Sequence, residues 1–229
     1  MTAVRRRLGL RRGKAERRMA RTAPTDLERD GWERGLRHIA GVDEAGCGPV
    51  AGPVVAAAVV LHPFRRTPTR LRGVNDSKTL SAENRLRLAG VIRETALACS
   101  VAAASPREIE RLNIRRATAL AMHRAVTRLP VEPDRLFVDG LPVPELGEHD
   151  AIVGGDLRCL SIACASILAK VVRDRLMERL DHRYPEYGWA SNKGYPTRPH
   201  LAAIREHGPT AHHRATWAPI LQHELRLEA

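Results

Sequence analysis

Apolar positions along this chain fall in short runs early and in longer, helically spaced runs late. Residues 38–43 (HIAGVD) make a brief apolar run that stops on an acid, and residues 50–61 (VAGPVVAAAVVL) make a longer one closed by His62 and Pro63. Both read as strands able to pair as a hairpin. Ser81, after the loop that ends in GVNDSKTL, is placed to cap an amphipathic helix reaching about residue 95, and residues 97–104 return to strand. Helical spacing resumes over 106–129 with a break near Asn113. The runs DRLFVDG (134–140) and AIVGGD (151–156) read as short strands, each carrying an aspartate where the apolar run stops. A long helix over 160–183, apolar first and charged later, and another over 199–207 complete the pattern. No internal repeat is present. Strands, then helices, then strands alternating with helices predict a mixed α/β fold of one sheet flanked by helices.

Charge changes the picture. Lys and Arg number 38 against 26 Asp and Glu, a net +12 with a pI near 10.6, so a polyanion such as nucleic acid is the expected partner. Residues 1–22 hold eight Arg, one Lys and one Glu, about two thirds of that excess. Residues 1–36 are therefore expected to be a basic, disordered arm, and residues 37–223 the folded domain. The arm's composition fits a solvated tail, a nucleic-acid contact, an organellar leader or coding bias alike. No window is apolar enough to span a membrane and no secretory signal is evident, so a cytoplasmic location is expected, and the chain is expected to be a monomer. Cys47, Cys99, Cys159 and Cys164 are scattered without a C-x-x-C pair, which leaves them as small buried hydrophobes.

The pair Asp43-Glu44 poses a geometrical question, because adjacent strand residues face opposite ways. A strand ending at Asp43, broken by Gly46 and Gly48, would let both carboxylates face one site with backbone amides just beyond. Asp139 and Asp156 end two further short strands, and sites in α/β sheets form outside strand ends. Four such acids would repel one another unless cations hold them, and hard ions such as Mg²⁺ or Mn²⁺ suit carboxylate oxygens. Two ions roughly 3.5–4 Å apart suit a phosphoryl displacement.

Five ordered stretches then resemble one family, the type 2 ribonucleases H (ribonuclease HII). They are GVDEAGCGP at 41–49, DSKTL at 76–80, VDG at 138–140, GDLRCLSIACASILAKVVRD at 155–174 and YPEYGWASNKGYPTRPH at 184–200. The resemblance implies a ribonuclease H-like mixed five-stranded sheet flanked by helices, with a helical C-terminal part. It implies Asp43, Glu44, Asp139 and Asp156 as catalytic metal ligands for Mn²⁺ or Mg²⁺. It also implies a substrate surface of Gly46, Cys47, Gly48, Ser77, Lys78, Lys193 and Tyr195. Gly46-Cys47-Gly48 would read the ribose 2′-OH through its main chain, although most relatives carry Arg where this chain has Cys47. Tyr195 would stack on the sugar at the junction, and Lys78 and Lys193 would contact phosphate. The implied substrates are RNA:DNA hybrids and duplex DNA containing ribonucleotides.

Asp174 lies eighteen residues beyond Asp156, roughly 27 Å if the span were all helical, and is not expected among the ligands. Tyr184, Tyr187, Trp189 and Trp217 are assigned to core packing, and His212-His213 to the surface or a phosphate contact. Two alternatives remain at this level. A proofreading exonuclease of the same fold typically carries D-x-E rather than adjacent acids, and a nucleic-acid-binding module would need no metal.

Overall fold

The structure is a computed structural model that describes residues 22–64 and 67–218. Five strands form one sheet in the order β3-β2-β1-β4-β5. They are β1 (Ile39–Ala45), β2 (Val54–Val60), β3 (Ala98–Ala104), β4 (Arg135–Asp139) and β5 (Asp150–Ile152). β1, β2 and β3 pair antiparallel, so the expected hairpin is present, while β4 pairs parallel with both β1 and β5.

Every residue of β2 is buried, because helices cover both faces of the sheet. Val55, Ala57 and Val59 pack on the face covered by α2 (Ala82–Thr95) and α5 (Leu160–Arg183). Val54, Ala56, Ala58 and Val60 pack on the other face, against α3 (Pro106–Leu112) and α4 (Ile114–Thr127). α5 runs so close under β1 that a Cβ on Gly41 would sit 2.2 Å from the Ser161 carbonyl carbon. A third cluster gathers Tyr187 and Trp189 with Met177, Val50 and Ala51 at the C-terminal end, beside α6 (Trp189–Asn192) and α7 (Arg198–His207). Tyr184 and Trp217 pack at its edge, so all four aromatics assigned to packing are found there.

Several expected boundaries shift for identifiable reasons. The arm was expected to reach residue 36, yet α1 (Asp26–Glu33) is a helix docked on the body. Its buried Glu28 accepts hydrogen bonds from Ser161 N at 2.7 Å and from the Cys159 thiol at 3.1 Å. Those bonds cap α5, whose own N-cap Cys159 supplies none, so the anchor comes from far away in sequence. β1 does not stop at Asp43 but runs on through Glu44 to Ala45, because β2 continues to pair with it. β2 begins at Val54 rather than near Val50, since buried arginines engage the carbonyls of Ala51, Gly52 and Pro53. Asp156 lies past the end of β5, in a 3-10 turn at Gly155–Leu157. Cys159 and Cys164 are buried as expected, whereas Cys47 and Cys99 are half-buried. Among the described residues no helix is long and apolar enough to cross a membrane.

Candidate active site

Because β1 continues through both acids, Asp43 and Glu44 project from opposite faces of the sheet. Asp43 is buried on the α5 side, where the Ser166 hydroxyl lies beside it, and its Oδ1 accepts from the Glu44 amide at 2.6 Å. Glu44 points to the α4 side, where the Cys47 thiol donates to its Oε1 at 3.6 Å and lies 3.4 Å from Thr118 Oγ1. The parallel register ends at Val42 beside Val138, which sets Asp139 next to Asp43. Glu44 and Asp139 line the clefts on both faces, and Asp43 joins them in one of the two, so the acids meet at the end of the sheet although adjacent strand residues face opposite ways.

Asp139 Oδ1 accepts from the Gly155 amide at 2.6 Å, which ties the end of β4 to the turn that carries Asp156. Asp156 in turn faces Asp76, Asp139 and Lys78. The Asp76 side chain caps its own 3-10 turn by accepting from Lys78 N at 2.8 Å. Asp76 was missed from sequence, although it opens the DSKTL stretch already singled out there.

Burial first, then mutual repulsion, pushes three of these carboxyls up. Asp43 is raised well above an ordinary aspartate by desolvation, then by Glu44 and Asp139. Glu44 is raised by burial and then by Asp139, and Asp156 by burial and then by Asp76 and Asp139. Burial opposes the charge of Lys78, but Asp76, Asp156, Asp43 and Asp139 together hold its pKa above that of an ordinary lysine. One ammonium thus faces four carboxylates.

Among the described residues no three His, Cys, Asp or Glu side chains converge at ligand distance. Asp43, Glu44 and Asp139 are each turned to a neighbouring donor instead. Chemically the set still fits a hard divalent cation. Its donors are carboxylate oxygens, and a bound cation would offset the burial and relieve the repulsion that raise the carboxyls of Asp43 and Glu44.

A cleft of about 480 Å³ joins Asp43, Glu44 and Asp139 to the Gly46-Cys47-Gly48 loop, Ser77, Lys78 and Tyr195. Gly46 has φ +102°, and a Cβ there would lie 2.0 Å from Arg173 Nε, so the backbone path admits only glycine. Gly48 differs: a Cβ there would meet only the Tyr195 ring, at 3.5 Å, from the cleft side. Tyr195 is 47% exposed and forms the facing wall. Ser77 is buried, its hydroxyl 2.9 Å from that of Ser166, so its side chain supports the wall from behind.

Other expectations fall outside this cleft. Lys193 Nζ bonds Glu178 at 2.6 Å and lines a neighbouring groove with Asp174 and Arg175; only its backbone reaches toward the loop, as an acceptor for Arg173. Asp174 is held by Lys170 at 2.6 Å and Arg85 at 3.6 Å, and both of those cations line the acid-bearing cleft. His213 is buried, with its Nε2 3.1 Å from His200 Nε2, which corrects the surface expectation for it. Arg173, Arg85 and Lys170 lay in charge patterns that read equally as solvated helix surface, so sequence alone did not single them out. A separate groove of about 440 Å³ at the start of β4 contains none of the residues singled out.

A mixed five-stranded sheet with acids gathered at the ends of β1 and β4 defines the class as a ribonuclease H-like nuclease. The sequence model described as Ribonuclease HII matches residues 40–220. The chain is 53% identical over 190 residues to the ribonuclease HII of Chromohalobacter salexigens, a match covering 82% of this chain and 92% of that one. It is 48% identical over 204 residues to that of Vibrio parahaemolyticus, covering 88% and 95%. Among solved structures it resembles the ribonuclease H2 of Pyrococcus horikoshii OT3, with a TM-score of 0.71 and 30% identity over 83% of this chain and 98% of that one. The chain belongs to the ribonuclease HII family. It is a type 2 ribonuclease H, a hydrolase of a family that cleaves RNA in RNA:DNA hybrids and needs divalent metal ions.

Proposed function

We propose that the chain is an endoribonuclease that cuts the RNA strand of hybrids and also cuts duplex DNA on the 5′ side of an embedded ribonucleotide. The products carry 3′-OH and 5′-phosphate ends, and the activity serves ribonucleotide removal from DNA. Asp43, Glu44, Asp139 and Asp156 hold Mn²⁺ or Mg²⁺. The observation that carries this reading is the gathering of these acids at one sheet end, with the carboxyls of Asp43, Glu44 and Asp156 raised by burial and repulsion. Bound there, a pair of divalent ions would polarise the scissile phosphate and make a water molecule nucleophilic at neutral pH.

The chain's own groups do the rest. Lys78, held charged by the acids around it, offsets phosphate charge beside the reacting bond. The 46–48 loop and Tyr195 form two walls that a ribose enters, with the ring as a stacking face.

The test is a DNA duplex with one ribonucleotide, incubated with Mn²⁺ or Mg²⁺, with both ends of the cut mapped. A single cut 5′ to the ribonucleotide, abolished by EDTA, is expected. Cleavage that ignores the ribonucleotide, or that survives the chelator, overturns the reading.

A further inference from the structure

Two guanidinium groups lie fully buried behind the 46–48 loop, and among the described residues each is met by carbonyls, not carboxylates. Arg173 donates to Ala51 O, Pro53 O and Lys193 O. Arg214 donates to Gly46 O at 2.6 Å, Cys47 O at 2.9 Å and Gly52 O at 3.0 Å. A buried cation without a counter-charge is unfavourable unless its hydrogen bonds are saturated. Burial and then the charge of Arg173 pull Arg214 down to about 10. So unfavourable a placement imposes shape on whatever it grips.

We infer that Arg214 is the positioning residue of the ribose-reading surface: by holding the carbonyls of Gly46 and Cys47 inward, it turns the amides of Cys47 and Gly48 out toward the cleft. In a trans peptide plane the C=O and the following N–H point opposite ways, so two carbonyls drawn onto one guanidinium leave two donors facing outward. Among the described residues neither amide has a protein acceptor. Donors so placed, beside Tyr195, suit a sugar hydroxyl, and the inference rests on the reading of this cleft as the ribose site.

The opposite wall is held by the neighbouring residue. Thr210 N donates to His213 Nδ1 at 2.9 Å, which leaves the proton on His213 Nε2 to be donated to His200 Nε2 at 3.1 Å. His200 Nδ1 then donates to Tyr195 O at 2.8 Å, and Trp189 Nε1 also donates to His200 Nε2, at 3.0 Å. His213 and Arg214, consecutive in sequence, thus fix both walls. Their segment is itself strapped to the loop by Arg214 N to Val50 O and by Gly52 N to His212 O, each at 2.8 Å, and Arg214 lies over the Trp217 ring at 5.0 Å.

The test compares wild type, Arg214→Lys and Arg214→Met on two duplexes that differ by one 2′-OH, with Ca²⁺ replacing Mn²⁺ so that binding is read without cleavage. Arg214→Lys keeps the charge but loses the fork, and should cut the ribose-over-deoxyribose preference about tenfold, with Arg214→Met abolishing it. Affinity for the all-DNA duplex, and Mn²⁺ affinity by calorimetry, should stay within about twofold, a split that general loosening of the fold would not give. Folded variants that discriminate like wild type overturn the inference. Should neither variant fold, amide NMR of the wild type decides: Cys47 and Gly48 signals that shift with the ribose-containing duplex but not with the deoxy control support it, and unmoved signals overturn it. A wild-type chain that cuts neither a hybrid nor the ribonucleotide-containing duplex overturns the reading of the cleft itself, before any variant is compared.

Discussion

Asp43 is the most confined of the four acids, and its replacement should separate chemistry from stability. Its folded pKa is raised, so the folded chain holds a proton to higher pH than the unfolded chain. Any stabilisation from that proton is present at low pH and lost as pH rises through the folded pKa. At pH values above the unfolded carboxyl's pKa and without metal, the burial and repulsion at Asp43 therefore oppose folding, and Asp43→Asn should raise the melting temperature in EDTA at pH 8 by about 2–4 °C, near 1 kcal/mol. The same variant should lose roughly 100-fold or more in kcat with Mn²⁺. A metal-free melting temperature that falls would refute the repulsion. Asp174→Asn should lose under about tenfold, because it gives up ion pairs with Lys170 and Arg85 rather than a place among the acids. The two loop glycines should also part company. Gly46→Ala meets Arg173 and a positive φ, and should lose about 2–4 kcal/mol in urea denaturation. Gly48→Ala should keep its stability within about 0.5 kcal/mol and raise KM, because its methyl group enters only the cleft. The strand-end acids were legible from sequence because each closes an apolar run. The sequence did not reveal that Lys193, at φ +51°, bonds Glu178 beside the acid-bearing cleft.

At the level of elements, the helix capped by Ser81 follows its sequence pattern closely because its cap is local, and the long helix α5 follows its run of apolar then charged residues although its cap comes from Glu28. The extension of β1 past Asp43 and the docking of α1 were not legible, because pairing with β2 and the reach of Glu28 to Ser161 are long-range events. The cluster around α7 carries a pH signature of its own. Burial, then His200 and His212, lowers His213 from 6.5 to about 3, and burial lowers His200. Below about pH 6.5 the unfolded chain takes up protons that these rings refuse. Their contribution is complete above that pH and declines as pH falls, by up to about 1.4 kcal/mol per unit for each ring. Asp43, Glu44 and Asp156, with raised pKa values, act in the opposite sense as pH falls. The difference between wild type and His213→Gln in urea denaturation at pH 7, 6, 5 and 4 isolates the histidine. The gap should narrow steadily toward acid, and a constant gap would show that His213 stays equally protonated in both states.

For the whole molecule, charge and chain order matter more than any one contact. Residues 1–21 carry eight of the twelve net positive charges, so their removal leaves 12 − 8 = +4. They lie outside the described residues, and the cut should stop at Arg21, because Thr22 Oγ1 accepts from Gly73 N at 3.0 Å and Ala23 N donates to Val74 O at 2.8 Å. The shortened chain should bind duplex more weakly with a flatter dependence on salt, while cleavage at saturating substrate persists. Equal affinity at low salt would show that the arm makes no phosphate contact. The overall class of fold was readable from the order of runs, but the C-terminal strap on the 46–53 loop was not, since it joins residues 160 or more apart through carbonyls that any sequence offers. The buried bond from Glu28 to Ser161, 133 residues downstream, has a consequence for biosynthesis. At roughly 5–20 residues per second, the first helix leaves the ribosome about 7–27 s before its partner exists. The β1–β2 hairpin can close meanwhile and α3 and α4 can cover one of its faces, but the face that packs on α5 stays open until α5 arrives, which makes the half-made chain a natural client for chaperones.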